Sequence, residues 1–181
     1  MLKKAGIIGL LFGFVLLGVI AVNIEVVQAE APEGYLEYTE NEYFTAYYPG
    51  DFSVDTEIDD FMEIVYFYRF VEDRFNPNVN VVVEKGVDLE LDEYLEANLD
   101  NLDFQFSDFE LEGEPEAVKV GGYDGKMIIY EVEGEAGLHY FEQILLTTGD
   151  NAFVITYANL SDYAEEDRDV YKKMVENFEV R

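Results

Sequence analysis

The chain holds one histidine, His139, no cysteine, and three serines, Ser53, Ser107 and Ser161. That inventory bounds its chemistry. No thiolate is present to attack a carbonyl or ligate zinc, and no site can hold two imidazoles. A Ser/His/Asp triad would need His139 as its base, and none of the serines stands in the glycine-flanked elbow of a serine hydrolase. His139 falls on a strand beside Phe141, Gln143 and Leu145, which suits a hydrogen-bonded structural histidine. Ser161 precedes a predicted helix and suits a cap. No catalytic residue, metal or other cofactor is assigned.

Carboxylates are abundant, so their spacing has to discriminate. Asp88, Glu90, Asp92 and Glu93 begin like a calcium loop, but that loop needs glycine at its sixth position and glutamate at its twelfth. Glu93 and Leu99 stand there instead. The run reads as a solvated helix start. Glu165, Glu166 and Asp167 read as first-turn acids favoured by the helix dipole. Carboxylate pairs for glycoside chemistry are defined by separation in space, not in sequence. An extracytoplasmic hydrolase using such a pair therefore stays open as an alternative, as does a cation-binding surface protein. Gly121, Gly122 and Gly125 lead into a strand rather than a helix, so they read as turn glycines and not as a phosphate loop. Tyr35, Tyr38, Tyr43, Tyr47 and Tyr48 form the candidate binding surface, because aromatics with a polar tip suit partner contacts. The same spacing also suits residues that roof a sheet edge.

The elements that must position these residues follow from periodicity. Segments 117–120, 126–132, 138–147 and 152–158 read as strands joined by runs rich in Gly, Asn and Asp, a meander of tight turns. Their residues are apolar at both parities, so both faces of the sheet must be covered. Tyr163, Val170, Tyr171, Met174, Val175 and Phe178 recur at helical spacing, with Asp162 and Glu165 as a capped start. Ile128, Ile144, Phe153, Ile155, Met174 and Phe178 are expected to share the core beneath that helix. Upstream, 43–48, 52–54, 61–71 and 79–83 read as strands. Leu91, Tyr94, Leu95, Leu99 and Leu102 give a second helix one apolar stripe, and 104–111 reads as a loop passing into a strand.

Residues 1–29 read as a signal peptide or N-terminal membrane anchor. Lys3 and Lys4 precede an uncharged apolar run over 5–22, and Ala29 ends a cleavage-like segment. Residues 30–41 read as a linker or loosely held first segment, and 42–181 as one domain. Net charge is -29, which repels nucleic acid and an anionic membrane face. The acids are dispersed, as in a domain adapted to salt, where a Debye length of about 3 Å at 1 M screens self-repulsion. With 14 Tyr and 14 Phe the chain is no disordered polyanion.

Several stretches carry a resemblance. A strand ends in Tyr48-Pro49-Gly50, and Asp92-Glu93-Tyr94-Leu95 opens a helix. Val120-Gly121-Gly122-Tyr123-Asp124-Gly125 follows, then Phe153-Val154-Ile155-Thr156-Tyr157, and Met174-Val175-Glu176-Asn177-Phe178 closes the chain. In this order the chain resembles the PsbP/DcrB-like family of extracytoplasmic domains over nearly all of its length past the leader. Two departures are Phe52, where the family often has tryptophan, and the missing lipobox cysteine. The resemblance implies an α+β fold, an antiparallel meander sheet covered by helices in a PsbP-like sandwich. It also implies a secreted or surface-tethered, non-catalytic binding or accessory domain. Known members include an extrinsic subunit of the photosynthetic oxygen-evolving complex. The expected partner is a protein or small ligand outside the membrane, not nucleic acid, with the membrane touched only through the N-terminal segment. The place expected is extracytoplasmic, secreted or on the outer face of the cytoplasmic membrane. The leader pattern predicts that N-terminal sequencing of the exported protein finds Glu30 first. An intact leader would make it an anchor, and a protein retained in the cytoplasm would overturn both.

Overall fold

A computed structural model describes residues 31–107 and 109–181, so the leader expected over 1–29 lies outside the described residues. Ten strands and two α-helices follow one another in the order β1 (Tyr35–Tyr38), β2 (Phe44–Pro49), β3 (Ser53–Ile58), β4 (Met62–Tyr68), β5 (Asn78–Lys85), α1 (Leu91–Gln105), β6 (Glu116–Val120), β7 (Tyr123–Gly134), β8 (Gly137–Thr147), β9 (Asn151–Leu160), α2 (Arg168–Glu176) and β10 (Glu179–Val180). Seven strands form one antiparallel sheet in the order β3-β4-β5-β9-β8-β7-β6, and β1-β2-β10 form a small second sheet. The α+β class and the meander β6–β9 read from the sequence are what the structure shows.

Register decides which side chain meets which cover. One row across the large sheet runs Phe67, Val79, Tyr157, Glu142, Ile129. That face packs under α2 and the small sheet, with Phe44, Phe153, Ile155, Met174 and Phe178 in one buried cluster. The adjacent row of opposite parity runs Tyr68, Asn78, Ala158, Phe141, Tyr130. On this second face Ile128, Leu145 and Val154 pack under Tyr94, Leu95 and Leu102 of α1. Ile128 therefore belongs beneath α1 and not in the core under α2 where the sequence placed it. Its cross-strand partner is Gln143, while Ile144 pairs with Met127, so Ile128 and Ile144 point to opposite faces.

Three further expectations are corrected. Tyr35–Tyr38, expected in a linker, pair as β1 with β2 from Tyr35↔Pro49 to Tyr38↔Ala46. The strand expected over 61–71 is shorter, and its flanking Phe61 and Phe70 are 78% and 74% exposed. The closing helix begins at Arg168 rather than at Asp162. Ser161–Tyr163 make one 3₁₀ turn instead, and Ser161 caps nothing, its hydroxyl being buried without a partner. The cause lies in distant side chains. Tyr157 Oη donates to the Ala164 carbonyl at 2.8 Å and Asn159 Nδ2 to the Tyr163 carbonyl at 2.8 Å. Those are the acceptors a continuous helix would have used for its own turns.

Close approach fixes one glycine. Gly121 has φ of 57°, and a Cβ there would lie 2.9 Å from the Val180 nitrogen, where β10 crosses the β6–β7 turn. Phe178 just before β10 is 5% exposed and stacks on Phe44 at 5.1 Å. Phe178→Ala should cost about 3–5 kcal/mol as a cavity-forming change. Chemical denaturation measures this, and a loss below about 1 kcal/mol would mean that the segment between α2 and β10 does not pack on Phe44 as described.

Candidate ligand cleft

α1 lies over β7 and β8, and its last residues stop short of the far ends of β5 and β9. Beyond its end the sheet carries a cleft of about 380 Å³. Its floor is Asn78 and Asn80 of β5, Ala158 of β9, and His139 and Phe141 of β8. Phe75 from the β4–β5 connection and Phe106, the residue capping α1, wall it in. The rings support one another. His139 meets Phe75 edge-on at 4.9 Å and lies parallel to Phe141 at 6.3 Å, and Phe141 stacks on Tyr130 at 5.0 Å. Asn80 Nδ2 donates to Asn78 Oδ1 at 3.2 Å, which holds both amides on the floor. A cavity of this size, mostly apolar with a few fixed polar groups, is the usual form of a small-ligand site.

His139 is thus held by aromatic contacts. Its ring also lies over Gly134, where an added Cβ would meet Cε1 at 2.5 Å. Ser53 lies exposed on edge strand β3, with β4, β5 and β9 between it and β8. At about 4.8 Å per strand that is roughly 19 Å, far beyond proton-transfer reach.

The five tyrosines proposed as a binding surface are brought together, but mostly as cover for the other face. Tyr38 and Tyr47 are 5% and 1% exposed, so neither can present its ring to a partner. Tyr38 packs edge-on against Phe67 at 5.4 Å, and Tyr48 lies 5.2 Å from the same ring. Tyr35 sits under Lys173 Nζ at 4.4 Å, and Tyr43 is half-buried against the same core. The sequence marks the cleft only by Asn78 and Asn80, at period two ahead of Val81, Val82 and Val83 in β5.

Acids that looked like a helix start do something else. Asp167 and Glu166 hold the β4–β5 connection, Asp167 Oδ2 accepting from Arg69 at 2.7 Å and Glu166 Oε2 from Arg74 at 2.6 Å. Burial pushes the Asp167 carboxyl above its usual range although Arg69 opposes it. The Arg74 hydrogen bond holds exposed Glu166 below its usual range. Among the described residues no group of three acidic or imidazole side chains could hold a metal ion. No described helix is long and apolar enough to cross a membrane.

Among the described residues three carboxylates are buried, Glu63, Asp167 and Glu142. Glu142 on β8 faces α2 with its side chain 4% exposed, and accepts from Arg168 Nε at 3.0 Å and Tyr140 Oη at 3.2 Å. Burial, reinforced by Glu142, pushes the Tyr140 hydroxyl far up, so it stays a donor. These partners make Glu142 a structural ion pair. Arg168→Met should destabilise the fold by about 3 kcal/mol, because it strands a buried charge, while Glu142→Leu with Arg168→Met should recover most of the loss. Denaturation midpoints of the three proteins decide it, and a harmless single variant would show the pair to be solvated.

No family model matches the sequence, and no curated protein matches it. Similarity appears in structure. The fold is similar to that of the PsbP protein CyanoP from Synechocystis sp. PCC 6803, with TM-score 0.61 and 12% identity over 82% of this chain and 93% of that one. LpqN of Mycobacterium tuberculosis, described as involved in cell envelope biogenesis, is similar with TM-score 0.52 and 15% identity, over 77% of this chain and 92% of LpqN. A Bacteroides thetaiotaomicron structure gives TM-score 0.51 and 17% identity over 76% of this chain, which spans only 45% of that protein. Identities so low establish a PsbP-like fold, and that alone.

Proposed function

We propose that this chain is a non-catalytic binding or accessory domain of PsbP/DcrB type that works outside the cytoplasm and holds a small ligand in the cleft beyond α1. The aromatic cleft carries the reading. Beyond α1 the sheet leaves a pocket walled by Phe75 and Phe106 and floored by Asn78, Asn80, Ala158, His139 and Phe141, apolar with two fixed amides. Support for export comes from the basic, apolar and small-residue pattern of 1–29, and from likeness to LpqN, described as involved in cell envelope biogenesis.

A panel of small amphipathic molecules tested against the purified chain should contain compounds that raise its thermal midpoint. A ligand at 100 times its Kd stabilises by about 2.7 kcal/mol, or roughly 5 °C or more for a domain this size. Phe106→Ala should abolish that shift, measured against the variant's own unliganded midpoint, which should fall because the ring also packs under α1. A panel without binders would overturn the reading. So would turnover of a bound compound that disappears in Glu142→Gln or His139→Ala.

A further inference from the structure

We infer that the ligand of this cleft is an organic cation, an ammonium group on an apolar body. The inference rests on the cleft being a binding site and adds the class of molecule it takes. Three independent features point the same way.

The first is the lining. Phe75, Phe106, Phe141 and His139 surround one small volume, and no lysine or arginine is among the residues that line it. Aromatic faces attract a desolvated ammonium through the ring quadrupole.

The second is the neighbouring surface. Glu133 reaches the cleft margin near the β7–β8 turn. Its side chain, like that of Glu131, shares the parity of Ile129 and stands round the sheet edge on the α2 face, in a hollow of about 370 Å³. That hollow is bounded by Glu110, Glu112, Glu131 and Glu133, again without a basic side chain among its lining residues. Lys119, Arg168 and Lys172 stand round a different hollow beside α2. Arg69 and Arg74, in the connection that carries Phe75, are held by Asp167 and Glu166.

The third is the helix. Phe106 at the cleft wall is the C-cap of α1, so the negative end of that helix abuts the site. Helices commonly offset this end with a cation of their own, yet α1 carries no basic residue in its last turn. A ligand ammonium would supply what the sequence omits. The overall charge of -29 acts in the same sense, raising the local concentration of cations and disfavouring anionic ligands.

Choline and its neutral carbon isostere 3,3-dimethylbutan-1-ol differ by charge and hardly in shape, so calorimetric titration of the purified chain with both isolates the charge. Choline should bind at least about tenfold more tightly at low salt, and added NaCl should narrow the gap. Phe75→Leu keeps the wall apolar but removes a π face, and should reduce the choline preference while sparing the neutral compound. Glu131→Gln with Glu133→Gln should weaken choline by about two- to fivefold. Equal affinity for the two probes would overturn the cation and leave the binding domain standing. Choline binding untouched by Phe75→Leu and Phe106→Leu would place the cation elsewhere on the acidic surface and also overturn it. No binding by choline would overturn it too, and the binding domain would then stand or fall on the wider ligand panel. Binding of a basic peptide with choline unable to compete would replace the small molecule with a protein partner.

Discussion

A sheet whose central strands are apolar on both faces has to be covered twice, and the rest of this molecule is arranged by that requirement. β5, β9 and β8 carry Val81, Ile155 and Ile144 on one side and Val82, Val154 and Leu145 on the other. The first side receives α2 and a whole second sheet. The second receives one helix of 15 residues, about 22 Å long, laid over β7 and β8. The unequal covers leave a remainder, and the remainder is the cleft. Polar Asn78 and Asn80 occupy the part of the second face that no element reaches, where buried valines would have called for another cover.

Placing a carboxylate on the heavily covered side carries a cost that the fold offsets with a cation. Glu142 interrupts the row between Tyr157 and Ile129, and Arg168 at the start of α2 meets it. Arg69 and Arg74 meanwhile hold Asp167 and Glu166 just ahead of that helix. In a chain with 11 basic residues against 40 acidic, three of the arginines thus bracket the start of α2. They fix where the helix begins, and so where Tyr171 and Met174 enter the core.

What the sequence made legible was local or periodic. Strands β6 to β9 followed from parity and from turn residues, and α1 from the stripe of Tyr94, Leu95 and Leu102. The start of α2 was misplaced because Asp162 and Glu165 imitate a cap, while the bonds that hold that segment in turns come from Tyr157, Asn159, Arg69 and Arg74. Register was equally hidden, and Ile128 changed sides for that reason alone. Tyrosine type pointed to an interface, but Tyr38 and Tyr47 are in the interior because β1 and β2 lie across the sheet. The cleft drew on Phe75, Phe106, His139 and Ala158, which only the assembled sheet brings together.

The small sheet joins residues from opposite ends of the described chain. Val180 pairs with Phe44, and Arg181 donates to Thr45 Oγ1 at 3.0 Å and to the Asn41 carbonyl at 2.9 Å. Phe44 finds its stacking partner only in Phe178. In a chain emerging amino end first, Phe67 of β4 is at hand early for Tyr38 and Tyr48, whereas Phe44 waits for 178–180 before its stacking face is covered. Closure of that sheet is an event of long sequence separation, and until it happens the half-made molecule presents Phe44 to its surroundings. Meanwhile the net charge of -29 keeps neighbouring unfinished copies apart, the more so the lower the salt.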